Sequence, residues 1–325
     1  MPATGRILLV LGLLAAQSGR AAADPDVVRL SQTISTDAQL ADEKGFFAEE
    51  NIRIQWTGKQ AHGPAVLVTL AAGENDFAGT VSSAVFLARA RGAKLKIIAA
   101  QTTSSRKVPL FRYLVKDGSG INTAQDFIGK KVVAQPTTIT WYPLVVYLKR
   151  HGVDYNKVEF VSLPSPLASE QAFKEGKVDV LGGSEFAPPG SKLLEEGGVH
   201  FVPGINDYDV LKVSQIGGWA AREDYIAAHP DVVRRFITGL TKAARWGNAH
   251  PEEAQAILNR VNELPPQLFK YTKWRPASDT LLVDPDSIKK WTAILEDFGQ
   301  IDKGSIRPED VFTNDYNPYV KTSVR

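Results

Sequence analysis

Apolar positions along the chain fall into two alternating rhythms. Residues 27–31 and 52–56 alternate apolar and polar side chains, which predicts half-buried strands, and short apolar runs at 76–79 and 94–100 predict buried ones. Between them, 38–50, 64–72 and 84–91 carry apolar residues three and four apart, and the last two stop at Gly73 and Gly92. The order then restarts. Strands are predicted at 111–116, 131–134, 158–162 and 178–181, and helices at 141–150 and 169–174, closed by Gly152 and Gly176. Strands separated by short helices argue a parallel α/β sheet, and two such runs argue two lobes, each with its own sheet.

One spacing occurs in both runs. Gly73, Asp76 and Gly79 are separated as are Gly176, Asp179 and Gly182. In each, a helix ends at Gly, a turn carries Asp, and a buried strand runs into Gly. This pattern is also ordinary chemistry for a helix-to-strand loop. The last third is helical, with Pro230, Pro251 and Pro285 each at a first turn. Val232, Val233, Phe236, Ile237, Leu240 and Ala244 share a face of the first helix. Ile288, Trp291, Leu295 and Phe298 share a face of the third, which Gly299 ends. These helices are expected to pack on the first lobe. Extended crossing segments near 100–112 and 209–217 are expected to join the lobes.

Residues 1–23 follow neither rhythm. Arg6 precedes the apolar run 7–16, and Ala21-Ala22-Ala23 offers a small-residue cleavage site. The run is shorter than the ~20 apolar residues that span a bilayer, so the segment is expected to be a cleaved export signal. Composition then excludes several classes of function. The 325 residues include no Cys, which removes disulfides, thiol catalysis and Cys-bound metal. The 38 Lys and Arg nearly balance 36 Asp and Glu, which argues against a nucleic-acid binder.

The inventory for catalysis is thin. His62, His151, His200, His229 and His250 are scattered, and His229 and His250 precede Pro at helix starts. No His-Glu-x-x-His, Gly-x-Ser-x-Gly or phosphate-loop motif occurs. Ser287-x-x-Lys290 matches a fragment of a serine-hydrolase motif, but it lacks companions and reads as a solvated helix face. No cluster has metal-ligand spacing, and neither metal nor cofactor is expected.

The positive signal is a set of polar strand-to-helix junctions. Ligands of open parallel sheets bind outside the carboxyl ends of the strands, where helix N-termini and hydroxyls offer donors to anions. Thr80, Ser82 and Ser83 form one junction; Thr138, Thr140, Trp141 and Tyr142 form a second in the other lobe. Gln32, Ser35 and Thr36 follow the first strand, and Ser184 and Glu185 follow 178–181. Taken singly, the Ser and Thr are equally helix N-caps. Glu185 is either a partner for an ammonium or ring N–H, or a surface acid. Trp219 either stacks on a ligand or belongs to the core.

Four stretches carry a family resemblance. They are Leu40-Ala41-Asp42-Glu43-Lys44-Gly45-Phe46-Phe47-Ala48-Glu49-Glu50-Asn51-Ile52, Leu70-Ala71-Ala72-Gly73-Glu74-Asn75-Asp76-Phe77-Ala78, Ile121-Asn122-Thr123-Ala124-Gln125-Asp126-Phe127-Ile128-Gly129-Lys130-Lys131-Val132, and Ala228-His229-Pro230-Asp231-Val232-Val233-Arg234-Arg235-Phe236. In order and spacing the chain resembles periplasmic solute-binding proteins of ABC importers, in the nitrate/sulfonate/taurine branch that includes pyrimidine-precursor binders.

The resemblance implies a periplasmic-binding-protein-like α/β fold of two lobes, a two-strand hinge and an interlobe cleft. Lobe 1 is then 24–108 with 215–325, and lobe 2 is 109–214. It implies a periplasmic, monomeric binding protein, not an enzyme, that closes on a small solute and delivers it to an inner-membrane permease. The junctions at Thr80–Ser83 and Thr138–Tyr142 coincide with the family's ligand contacts. Many relatives carry an aromatic-rich loop where this chain has Gly183-Ser184-Glu185-Phe186. An acid there favours a zwitterion such as taurine, or a heterocycle, over a pure anion. A two-lobed enzyme of the same fold and a sensor domain for a membrane receptor are the alternatives.

Overall fold

The computed structural model describes residues 24–32, 37–59 and 63–320. The expected leader, 1–23, and two expected site residues, Ser35 and Thr36, lie outside the described residues. The described residues form ten strands: β1 (Asp26–Gln32), β2 (Ile52–Lys59), β3 (Phe77–Val81), β4 (Leu95–Ala100), β5 (Arg112–Lys116), β6 (Lys131–Val133), β7 (Glu159–Val161), β8 (Val180–Gly183), β9 (Val199–Asn206) and β10 (Gly217–Arg222). They form two five-stranded sheets, ordered β2-β1-β3-β10-β4 and β7-β6-β8-β5-β9. β1 pairs parallel with β2 and β3, and β6 pairs parallel with β7 and β8. β10 and β5 run against their neighbours. Each sheet is therefore three parallel strands, one reversed strand that connects to the other sheet, and an edge strand.

The recurring Asp does the same work in both sheets. Asp76 accepts the Arg29 N–H at 2.8 Å through Oδ2 and gives its own N–H to the Arg29 carbonyl at 2.9 Å. Asp179 accepts the Lys131 N–H at 2.8 Å and gives its N–H to the Lys131 carbonyl at 2.8 Å. Each carboxylate completes the ladder at the strand's first residue, where the neighbour's N–H has no strand partner. Gly73 and Gly176 before them take φ of 77° and 73°, the left-handed conformation that ends a helix.

Most predicted elements form, with informative exceptions. The helix predicted over 38–50 breaks into Asp37–Glu43 and Phe46–Glu49, because Gly45 sits between them at φ 75°. β9, β10 and the helices Gly190–Glu196, Asp207–Leu211 and Glu223–Ala228 were not predicted. Pro203 and Gly204 interrupt the alternation of β9, Gly-Gly-Trp-Ala-Ala-Arg in β10 does not alternate, and the three helices are too short to show a period.

The helix Pro230–Ala249 packs on the first sheet as expected. Its Phe236 stacks on Phe77 at 4.0 Å and Phe47 at 5.2 Å between centroids. The helix Pro285–Asp297 departs from expectation by touching both halves. It packs on Ser82–Ala90, while Trp291 meets Tyr142 edge-on at 5.4 Å and Phe298 meets Trp141 at 5.6 Å. Trp141 and Tyr142 start the helix Tyr142–Arg150 beside the second sheet, so one apolar cluster runs through both lobes. Among the described residues no helix is long and apolar enough to cross a membrane.

The crossing segments meet where the sequence placed them. Thr103 and Gln215 form an antiparallel bridge, the Ser104 N–H donates to the Ser214 carbonyl at 2.7 Å, and the Ile216 N–H donates to the Thr102 carbonyl at 2.8 Å. Ser287 braces this pair and is fully buried, which corrects its reading as a solvated residue. Its Oγ accepts the N–H groups of Ser214 and Gln215 at 2.9 and 3.1 Å and donates to Asp284 Oδ2 at 2.6 Å. The Trp291 indole donates to the Gln215 carbonyl at 3.1 Å. Ser287→Ala would strand two buried N–H groups, so a loss of roughly 2–4 kcal/mol is expected in urea unfolding. Lys290→Ala, on the exposed face of the same helix, should change stability by less than about 0.5 kcal/mol.

Candidate functional site

A cavity of about 870 Å³ lies between the two sheets. From the first lobe it is walled by Asp37, by Val81 at the end of β3, and by Gln101, Thr102 and Thr103 after β4. From the second it is walled by residues that follow β6, β7 and β8: Gln135, Thr137 to Thr140, Ser162 and Ser184. The carboxyl ends of both parallel sets thus face one space, the arrangement in which open α/β sheets bind ligands.

The loop after β6 is tightly self-bonded. Thr138 Oγ donates to the Gln135 carbonyl at 2.7 Å, Thr140 Oγ accepts the Gln135 N–H at 3.1 Å, and the two hydroxyls lie 2.7 Å apart. A hydroxyl has one proton, so Thr138 spends its own on Gln135 and receives that of Thr140. Both protons are engaged inside the loop, and a ligand must exchange with them. Thr137, on the cavity wall, sits at φ 66°, a left-handed conformation that a β-branched residue adopts only under strain.

A strap from the C-terminal third closes one side. Thr272 is tied to the first lobe by Asn259 Nδ2 at 2.8 Å, and Trp274 Nε1 donates to Asn248 Oδ1 at 3.1 Å. The same segment reaches the second lobe. The Lys273 N–H donates to the Phe186 carbonyl at 2.9 Å, Ser191 Oγ donates to the Tyr271 carbonyl at 2.6 Å, and Lys270 pairs with Glu195 at 2.6 Å.

Among the described residues three charged side chains are on the cavity wall: Asp37, Lys273 and Arg275. The Arg275 guanidinium donates to the Thr103 carbonyl at 2.8 Å and lies 5.6 Å from the Phe186 ring. Burial pushes its pKa down to about 10, against the opposing field of Asp207. Asp37 begins the helix Asp37–Glu43 and is 8% exposed. Its Oδ1 accepts the Trp219 indole N–H at 3.1 Å and faces Gln101 Nε2 at 3.5 Å. Its Oδ2 has no partner among the described residues. Burial raises its pKa from 3.8 to about 6, with the bonds from Trp219 and Gln101 opposing. Among the described residues no group of three His, Asp or Glu side chains converges as a metal site.

Of the residues singled out in the sequence, Thr138, Thr140 and Ser184 are on the cavity wall. Gln32 ends β1 beside Lys59, and its side chain lies outside the described set. The others are not among the residues that wall this cavity. Thr80 is buried on β3 opposite Gly218. Ser82 and Ser83 are fully buried in the first turn of Ser82–Ala90, where Val81 takes the wall position, and neither hydroxyl has a partner among the described residues. Trp141 and Tyr142 point into the aromatic cluster with Tyr155, Phe160 and Phe298, because the apolar face of their helix demands large side chains there. Glu185 turns to Arg112 at 3.7 Å. Trp219 is buried against Phe236 and acts on the cavity only by holding Asp37.

Sequence reasoning missed Asp37, Gln101, Thr102, Thr103 and Arg275. Gln101-Thr102-Thr103 is itself a polar run after a strand, and the junction rule applied to it would have found the wall. Arg275 lies in an irregular stretch with no periodic signal.

A family model described as NMT1/THI5 like matches residues 32–254. The chain belongs to this family. Among curated proteins none matches by sequence. Solved structures do match. The periplasmic aliphatic sulphonate binding protein SsuA from Escherichia coli is 20% identical with a TM-score of 0.73, covering 90% of this chain and 99% of that one. The alkanesulfonate-binding protein SsuA from Xanthomonas axonopodis pv. citri, bound to MOPS, is 22% identical with a TM-score of 0.69, covering 86% and 94%. The periplasmic nitrate-binding protein NrtA from Synechocystis PCC 6803 is 14% identical with a TM-score of 0.66, covering 90% and 87%. The chain therefore has the periplasmic binding protein fold.

The Asp37 carboxyl predicts a pH dependence. Its pKa is higher folded than unfolded, so between about 6 and 3.8 the folded protein holds a proton that the unfolded chain releases. Stability from this group therefore rises as the pH falls through that window, and the cost of ionisation is fully present above it. The rise to about 6 corresponds to about 3 kcal/mol in order of magnitude. Asp37→Asn should remove this slope, gaining on the wild type by about 2 kcal/mol more at pH 8 than at pH 4.5 in urea midpoints. Equal differences at the two pH values would contradict the assignment. Ser82→Ala and Ser83→Ala delete unpartnered hydroxyls, so each should leave stability unchanged or raise it by up to about 1 kcal/mol in the same assay.

Proposed function

We propose that this protein is the extracytoplasmic solute-binding component of an ABC-type importer. On this reading the leader is cleaved, the mature chain is a periplasmic monomer, and its cargo is a small polar or anionic organic solute of the sulfonate, taurine or nitrate class. The observation that carries the reading is the cleft itself. It lies at the carboxyl ends of two sheets whose halves are joined by one short pair of crossing segments. Such a joint lets lobe 1, 24–108 with 215–325, turn against lobe 2, 109–214, as in other hinge-closing binders. The binding functions of the SsuA and NrtA neighbours agree with it.

In the proposed mechanism the solute enters between the lobes and meets hydroxyls and amides rather than a reactive side chain. Thr138, Thr140 and Ser184 contribute from lobe 2, and Gln101, Thr102 and Arg275 from the other wall. Opening breaks the strap bonds at Phe186, Tyr271 and Glu195, each worth about 1 kcal/mol net, so thermal motion opens the cleft. Closure remakes them around the solute, and the closed form is what a permease recognises. No bond of the solute is made or broken.

A thermal-shift panel of alkanesulfonates, taurine, nitrate, pyrimidines and aromatic acids tests this. A true solute at 100 times its Kd adds about 2.7 kcal/mol. Thr140→Ala should weaken the hit about tenfold by losing one hydrogen bond and loosening the loop, while mass spectrometry recovers the compound unaltered. No hit in the panel, unchanged affinity in the variant, or a converted compound counts against the proposal.

A further inference from the structure

We infer that Asp37 reads a cationic nitrogen group on the solute, so that the preferred cargo carries a protonated amine besides any acidic end. This inference rests on the solute-binding reading above and adds the chemistry of the cargo to it.

The argument starts from an incomplete carboxylate. Asp37 is 92% buried, yet it forms part of the cavity wall. One oxygen is committed to the Trp219 indole at 3.1 Å, and the other accepts from nothing among the described residues. Buried polar atoms in folded proteins are nearly always paired, and an acid left without a donor opposes folding. The other two charged groups on the wall do not complete it. Arg275 is held by the Thr103 carbonyl and lies in the field of Asp207. The Lys273 side chain is exposed on the strap. Burial is the largest influence on the ionisation of Asp37, and hydrogen bonds from Trp219 and Gln101 oppose it.

The missing partner must bring a donor and a positive charge, and the position of Asp37 means that it arrives through the cavity. A sulfonate or nitrate set beside this carboxylate would be repelled. The same molecule is well accommodated if its anionic end turns away. Arg275, whose Nε is also unpartnered, and the strap lysine lie on the same cavity wall. Gln101 touches Asp37 and the Thr103 carbonyl touches Arg275, so one three-residue stretch of the wall carries a contact to each charge. A small molecule with opposite charges at its two ends suits a wall that bears both signs. Trp219 is a positioning residue here: its indole fixes which carboxylate oxygen is free.

The test is a set of size-matched probes titrated calorimetrically at pH 8, where Asp37 is ionised. It uses propylamine and benzylamine as cations, propanesulfonate and benzenesulfonate as anions, and 3-aminopropanesulfonate and 4-(aminomethyl)benzenesulfonate as zwitterions. The wild type is expected to bind a zwitterion at least about tenfold more tightly than the anion of the same skeleton, as suits a charge-assisted hydrogen bond. Asp37→Asn keeps an oxygen for Trp219, so its fold should survive, and it should bind zwitterion and anion equally. Arg275→Gln should weaken zwitterion and anion together while keeping the preference for the amine. If the wild type binds the anions as well as the zwitterions, or if Asp37→Asn keeps the preference, Asp37 has no such role and the solute-binding reading stands without it. If no probe of any charge type binds the wild type, the solute-binding reading fails and this inference falls with it.

Discussion

The two halves of this molecule depend on one short meeting of backbones, Thr103 against Gln215 with a hydrogen bond on either side. A pair this small has few bonds of its own to resist bending. Its rigidity is borrowed from below, where Ser287 and Trp291 grip the Ser214–Gln215 stretch. The grip comes from the helix Pro285–Asp297, which also packs its aromatic face against both lobes. Cleft and helix therefore lie on a common mechanical element. Whatever rotation occurs must pass through residues 102–104 and 214–216 and slide along the Trp141, Tyr142, Trp291 and Phe298 cluster.

How much of this was legible depends on the kind of signal. Strands and helices were readable because burial of one face imposes a period, and the two runs were readable because the period restarts. The Gly-x-x-Asp spacing was readable only as a pattern. Its meaning, a carboxylate completing a parallel ladder at Arg29 and again at Lys131, appears only when the neighbouring strands are in place. β9 was hidden because Pro203 and Gly204 break its alternation.

The candidate site was legible by location and much less by residue. Strand-to-helix junctions do line the cavity, but a junction offers two sides, and periodicity does not say which side chain faces the ligand. At the β3 junction Val81 faces it, while Ser82 and Ser83 turn into the core. At the β6 junction the threonines face it, while Trp141 and Tyr142 fill the space beneath. Asp37 carried no signal in the sequence, because its importance comes from what packs on it. A carboxylate becomes notable when Trp219, over a hundred residues away in sequence, closes around it and only one of its oxygens is satisfied.

One contact of the strap across the cleft is made wholly of main-chain atoms, the amide of Lys273 on the carbonyl of Phe186. Such atoms are common to nearly every residue type. This contact between the halves is thereby insulated from substitutions on the surfaces they enclose, so the cavity wall can change its side chains while that join is inherited intact.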